Sequence, residues 1–176
     1  VSLMAGKIAQ LLPPGVVNVI HGEKEAGPAL TSHPLVRKIS FTGGGNIAKH
    51  VMRSAADSLK RVHFELGGND PAIVLEDADV EDAVAKIVFS ALRRSGQVCY
   101  AVKRIYVPES MYAKFCDQVC ETVGRYRIGH GLHEQATMGP LNNKNQFRFV
   151  SELLERTKQS GAKVVELGEK LEPEQW

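Results

Sequence analysis

The chain has 176 residues, 43% of them hydrophobic and 24% charged, a length at which a single soluble domain can bury a core. A net charge of +2 leaves no electrostatic footprint for nucleic acid or an anionic membrane, and the densest basic pairs, Arg93-Arg94 and Lys103-Arg104, read as solvated faces. No apolar run approaches the roughly 18 residues that a membrane helix needs. Three cysteines without CxxC or Cys/His spacing make neither a disulfide framework nor a metal site, and fit a reducing, cytoplasmic compartment.

In chain order, Met4, Ile8, Leu11 and Leu12 follow a helical period that Pro13-Pro14-Gly15 stops. The apolar run Val16 to Ile20 reads as a buried strand, and residues 24–32 as a short helix ended before Pro34. Lys38 to Thr42 is a strand broken by Gly43-Gly44-Gly45. The four-residue recurrence of Ile47, Val51, Ala55 and Leu59 predicts a helix directly after those glycines. Val62 to Leu66 and Ala72 to Leu75 are the next strands.

Asp77 or Asp79 caps a helix whose stripe is Val80, Ala83, Val84, Ile87, Val88, Ala91 and Leu92, the cleanest in the chain. Arg104 to Val107 is a strand, 109–124 and 142–160 are helices, and Lys163 to Leu167 is a last strand. Strands alternating with helices predict an α/β fold with a largely parallel sheet. The start carries no signal-peptide pattern. The chain opens at Val1 inside a helical pattern and closes in the charged stretch Glu166 to Trp176, so both ends read as cuts through a longer protein.

Three loops sit where strands hand over to helices, the places where α/β folds bind ligands. Gly43–Gly45 lets a backbone approach a phosphate at a helix N-terminus, or is simply a turn that needs positive φ. In Gly67–Asp70 the residue of interest is the preceding Glu65: an acid near the end of a buried strand would be tuned toward general-base work, whereas an exposed edge acid would do nothing special. In Ser95–Tyr100, Cys99 is either an exposed, activated thiolate or a small buried hydrophobe. Cys116 and Cys120 share the apolar side of their helix with Tyr112, Val119 and Val123 and read as core. The six histidines offer no clear base.

Pro14-Gly15-Val16-Val17-Asn18, Phe41-Thr42-Gly43, Glu65-Leu66-Gly67-Gly68 with Pro71, and Gly96-Gln97-Val98-Cys99 follow in that order, Cys99 standing 34 residues after Glu65. With Gly139-Pro140-Leu141 and the glutamine-bearing helix beyond it, this arrangement resembles the NAD(P)-dependent aldehyde dehydrogenase superfamily over essentially the whole chain. The resemblance implies the later part of a Rossmann-type cofactor domain, residues 1–66, joined to the opening of an α/β catalytic domain, residues 67–176.

By the same resemblance, Cys99 attacks an aldehyde, and its backbone N–H helps hold the thiohemiacetal oxyanion. Hydride passes to NAD or NADP, and Glu65 activates water to hydrolyse the thioester to a carboxylic acid. Phe41, Thr42, Gly43 and Gly44 would line the cofactor with the Gly43–Gly44 backbone near the diphosphate, and Leu66, followed by Gly67, would turn its carbonyl to the nicotinamide amide. Many family members carry serine where Gly44 stands, so one phosphate contact is absent.

Full-length relatives are more than twice as long and usually form homodimers or homotetramers, so the isolated segment is expected to be inactive. Two alternatives compete: a CoA-acylating relative, against which Glu65 argues, and a catalytically silent fragment or binding module. A thiol hydrolase pairing Cys99 with a histidine is weaker, because no histidine neighbours the motif. The choice of aldehyde, and of NAD over NADP, is read mostly by residues outside this stretch.

Overall fold

The computed structural model describes residues 2–22 and 24–171; Val1 and the last five residues of the charged terminal stretch lie outside the described residues. The chain divides between Leu66 and Gly67 into two compact units, Val1–Leu66 and Gly67–Trp176. Among the described residues the strands pair in parallel, in three two-stranded sheets.

In the first unit, helix α1 (Ser2–Ala9) precedes the proline pair, with Leu3, Met4 and Ile8 exposed. The strand expected at Val16 to Ile20 is not formed. The Val16 N–H bonds to the Pro13 carbonyl and the Asn18 amide to the Gly15 carbonyl, so the segment is a turn followed by irregular chain, and Val16, Val17, Val19 and Ile20 are all exposed. An apolar run becomes a strand only where a neighbouring backbone takes its N–H and C=O groups, and among the described residues none does. Helix α2 (Ala26–Ser32) ends as anticipated at His33, whose N–H returns to the Leu30 carbonyl.

Strand β1 (Lys38–Gly43), helix α3 (Gly45–Ala56) and strand β2 (Arg61–Leu66) form a βαβ unit with β1 and β2 in parallel register. α3 packs on both strands and buries Ala48, Val51 and Ala55. It stops one turn before its periodicity predicts. Leu59 adopts φ 49° and points into solvent, while the Leu59 and Lys60 N–H groups close the helix on the Ala56 and Ala55 carbonyls. Lys60 is buried here, its ammonium donating to the His33 carbonyl at 2.9 Å and to the Ser58 hydroxyl at 2.8 Å. A lysine is buried only when such partners replace its water. One of them is a sequence neighbour, Ser58, and the other, His33, is 27 residues away.

In the second unit, strand β3 (Asp70–Ile73) pairs with strand β4 (Val102–Tyr106), with a register shift at Asp70/Pro71; a proline cannot donate to a ladder and is tolerated at such an irregularity. Helix α4 (Val80–Leu92) lies between them in sequence, capped by Asp79, whose carboxylate accepts the Asp82 N–H at 2.8 Å. Its stripe supplies most of the core: Val80, Val84 and Val88 with Val74 and with Phe115 of helix α5 (Tyr112–Gly124).

The line of α5 that packs on this core is the buried Phe115 with the partly buried Val119 and Val123, continued by Met111 just before the helix. Cys116 and Cys120 are therefore flanking, half-buried free thiols and Tyr112 is exposed, a correction to their placement in the core. Each is one position round the helix from that line, about 100° away. A hydrogen bond that the Tyr112 phenol donates to the Cys116 sulfur holds the phenol above its ordinary pKa.

Strands β5 (Arg127–Ile128) and β6 (Glu169–Lys170) pair briefly, and helix α6 (Lys144–Gln159) is capped by the Asn143 carboxamide, which accepts the Gln146 N–H. The strand expected over Lys163 to Leu167 is not formed: residues 162–167 are irregular and the pairing begins two residues later, at Glu169. Apolar character marks 163–167, but the partner backbone, that of Arg127 and Ile128, is offered only to 169 and 170. No helix among the described residues is long and apolar enough to cross a membrane.

Candidate active site

The glycine loop Gly43–Gly45 lies at the junction of β1 and α3. Gly43 ends the strand, Gly44 is the N-cap with φ −73° and ψ 146°, and Gly45 opens the helix. These angles are the usual extended N-cap conformation, so Gly44 is not there for positive φ. Its space is open, and no side chain caps the helix. The first helical bonds run from the Ile47 and Ala48 N–H groups to the Gly44 carbonyl, leaving the Gly45 and Asn46 N–H groups pointing out of the helix start. At Gly43 a side chain would have to displace a neighbour. The Phe41 ring, two residues back on the same strand face, lies 2.6 Å from where a Cβ on Gly43 would sit, and is packed edge-on to Phe64 with centroids 6.2 Å apart.

Strand pairing sets Thr42 directly beside Glu65 and Gly43 beside Leu66. Four residues nominated from two separate motifs are thus one patch at the end of a single sheet. Glu65 is not buried: 63% of its side chain is exposed, because β2 alternates and Glu65 shares the open face with Arg61 and His63. Of the two readings the sequence leaves open for Glu65, the exposed strand acid is the one found in this chain. Its carboxylate is 3.4 Å from His63 Nε2, an ion pair when that imidazole is protonated, and His63 Nδ1 is 3.4 Å from the Ser40 hydroxyl across the pair. This acid–imidazole contact went unnoticed in the sequence, although residues two apart in a strand always share a face.

In the second unit the thiol loop leaves α4 through a short 3-10 turn, Arg93–Gly96. Arg94, Ser95 and Gly96 all have positive φ, at 51°, 58° and 72°. For the two non-glycine residues this costs on the order of 1–3 kcal/mol each, and it persists only where the surroundings over-determine it. Ser95 donates to the Gly139 carbonyl at 2.7 Å, and Gln97 accepts the Asn142 N–H at 2.9 Å.

Cys99 itself is exposed. Its carbonyl accepts the N–H of Gly68 at 3.2 Å. Next to Gly68, the Asn69 carbonyl accepts Arg104 Nε at 2.9 Å, so Arg104 is more than the solvated charge its sequence neighbourhood implies. The structure thus joins the loop after Gly67-Gly68 to the cysteine loop by a backbone hydrogen bond. Gly139-Pro140, 44 and 45 residues beyond Ser95, meets the same loop.

The concavities of about 300 Å³ beside Pro34, Arg37 and Lys60 and of about 410 Å³ beside Arg125, Arg127 and Glu169 contain none of these residues. Small-molecule sites ordinarily bury most of their ligand's surface; here the thiol is on an open surface. Among the described residues no cluster of three or more His, Cys, Asp or Glu side chains could hold a metal.

A family model for the aldehyde dehydrogenase family matches residues 1–175. The chain belongs to this family. It is 43% identical over 162 residues to a probable aldehyde dehydrogenase of Pseudomonas sp., covering 92% of this chain and 33% of that protein. It is 41% identical over 155 residues to the NADP(+) succinate-semialdehyde dehydrogenase of Escherichia coli, covering 88% and 32%. Among solved structures, an NADP-dependent enzyme of E. coli superposes with a TM-score of 0.89 at 38% identity, over 97% of this chain and 36% of that one. The betaine aldehyde dehydrogenase of Staphylococcus aureus in complex with NAD+ superposes at 0.88 with 30% identity, over 94% and 33%. The aldehyde dehydrogenase chain described here therefore spans about a third of the length of the relatives it matches, and its α/β architecture is theirs.

Proposed function

We propose that the full-length protein oxidises an aldehyde to a carboxylic acid with NAD or NADP, residues 1–66 belonging to its cofactor domain and 67–176 to its catalytic domain. Family membership supports the reaction class. The observation that carries the residue assignment is the Gly68 N–H to Cys99 carbonyl bond, which joins the loop following Glu65-Leu66-Gly67 to the loop that bears the thiol.

The residues present fit a dinucleotide. The Gly45 and Asn46 N–H groups and the open Cβ position of Gly44 form a donor set without steric cover at a helix N-terminus, which is what a diphosphate requires. Phe41, Thr42, Gly43 and Gly44 would hold it, with Leu66 and Gly67 facing the nicotinamide end. When bound, the cofactor accepts the hydride that leaves the aldehyde carbon.

Cys99 forms the bond to that carbon. A thiolate is both a strong nucleophile and a good leaving group, so the same sulfur serves addition and release. The Cys99 N–H donates to the oxyanion formed on addition. Glu65 takes a proton from the water that hydrolyses the thioester, its carboxylate held beside His63. A retained carboxylate base favours water over CoA as acceptor. Three free thiols accord with a reducing, cytoplasmic setting.

The test is nicotinamide reduction by the full-length protein over a panel of aliphatic and aromatic aldehydes. Cys99→Ala should abolish it, and Glu65→Gln should give a single burst that stalls at the thioester. A folded protein that reduces neither cofactor with any aldehyde would remove the enzyme reading in favour of a binding module.

A further inference from the structure

Gln97 lies two residues before the proposed nucleophile and has no part in the chemistry above, yet its side chain uses both ends of its amide, one within its own loop and one far along the chain. Its backbone N–H donates to the Arg94 carbonyl at 3.1 Å, and its side-chain Nε2 donates to that same carbonyl at 3.1 Å. Its Oε1 accepts the Asn142 N–H at 2.9 Å. One amide thus ties the left-handed turn at Arg94–Ser95 to a segment 45 residues downstream. The orientation of the amide follows from its partners, since a carbonyl can face only the nitrogen and an N–H only the oxygen.

We propose that Gln97 is the positioning residue of the Cys99 thiol, bracing its loop against the Gly139–Asn142 segment. This rests on the reading of Cys99 as nucleophile. Ser95, through its bond to the Gly139 carbonyl, is a second brace to the same segment. Beyond Gln97 the chain is fixed again at once: Ala101 N–H bonds to the Val98 carbonyl and Gly68 N–H to the Cys99 carbonyl. The thiol is therefore suspended between the brace at 97 and the bond at its own carbonyl, and a shift at Gln97 has no slack in which to dissipate. Only an amide of this length performs both halves. Glutamate keeps the acceptor and loses the donor, methionine keeps the volume and loses both, and asparagine is one methylene short.

The experiment uses the full-length enzyme with Cys99→Ala, Gln97→Met, Gln97→Glu and Ser95→Ala. Gln97→Met should lower kcat by roughly 10- to 100-fold, the range that an ångström of misplacement produces, with KM for aldehyde and cofactor unchanged within about twofold. Amide exchange of Gly68 should quicken while the Val84 and Val88 amides of α4 keep their protection, and Gln97→Glu should fall between Gln97→Met and the parent. Cys99→Ala inactive with Gln97→Met at parental kcat overturns the positioning role alone. Turnover retained in Cys99→Ala overturns both this role and the reading beneath it. Equal rises in exchange at Gly68 and in α4 would mean general destabilisation and would also overturn it. Should Gln97→Met not fold, Gln97→Glu and Ser95→Ala are read by the same split between kcat and KM, and parental kcat in both overturns the proposal.

Discussion

Gly44→Ser should improve this protein on two counts that can be measured separately. Gly44 is the N-cap of α3, with extended angles that serine adopts freely, and nothing lies within 4 Å of the Cβ it would acquire. A serine hydroxyl there can accept one of the unpaired N–H groups of the first turn, which relative to glycine is worth a few tenths of a kcal/mol. Turned outward instead, it donates to a phosphate oxygen, about 1 kcal/mol net for an ordinary hydrogen bond and more to a charged acceptor.

The expected result is a urea midpoint equal to or slightly above the parent's without cofactor, and a cofactor Kd lowered about 5-fold, 1.4 kcal/mol being tenfold. The assay is a titration of NAD and NADP into full-length parent and variant, with parallel urea unfolding. A Kd unchanged within twofold would mean that the α3 N-terminus does not face the diphosphate. A weaker Kd with unchanged stability would mean that the ligand occupies the space left by the missing side chain. The first outcome refutes the placement of the cofactor at Gly43–Gly45; the second keeps the cofactor there and refutes the hydroxyl–phosphate contact.

Gly43→Ala should be destabilising and disorder the Phe41–Phe64 ring contact, because the new Cβ meets the Phe41 ring at 2.6 Å; an unshifted Phe41 ring resonance by NMR would contradict this. Val84→Ala removes two carbons from a side chain with no exposure, about 1.6 kcal/mol at 0.8 per methylene, with a further cavity contribution. A loss of roughly 2 kcal/mol is expected in urea unfolding, and a loss below about 0.5 kcal/mol would show that the second unit's core is not centred there. Asp79→Ala deletes the α4 cap and should cost about 1 kcal/mol in the same assay.

The contact between Lys158 and Glu166 holds the lysine above its ordinary pKa, chiefly through its hydrogen bond to Glu166, and the glutamate below its own. The lysine's contribution is present below its ordinary pKa and lost as pH rises through the raised value. That of the glutamate is present above the ordinary carboxylate range and lost as pH falls through the lowered value. The tether of residues 162–167 to α6 should accordingly hold across neutral pH and release at both extremes. Amide exchange in that segment equally slow in Glu166→Gln at pH 7 would refute it; because both groups are exposed, high salt should mimic the substitution.

Much of this protein was legible in its sequence, for local reasons. α4 was readable because Val80, Val84 and Val88 recur at the helical period and Asp79 offers a cap, both properties of neighbouring residues. The β1–α3–β2 order was readable because glycines separate an apolar alternation from an apolar four-residue recurrence. Cys99 and Glu65 were nominated through four motifs in a fixed order, which need no coordinates.

Strands could be proposed wherever apolar residues cluster, but pairing requires a second backbone at hydrogen-bonding distance. Val16 to Ile20 lacks one among the described residues, and residues 163–167 pass theirs to Glu169–Lys170. Burial is likewise decided by what covers a face: Glu65 is open, Lys60 is enclosed, and Cys116 and Cys120 flank a line centred on Phe115. The contacts of Gln97 and Ser95 with residues 139–142, and of Gly68 with Cys99, span 31 to 45 positions. No local pattern encodes them, because they arise only when the folded chain brings donor and acceptor within 3.2 Å.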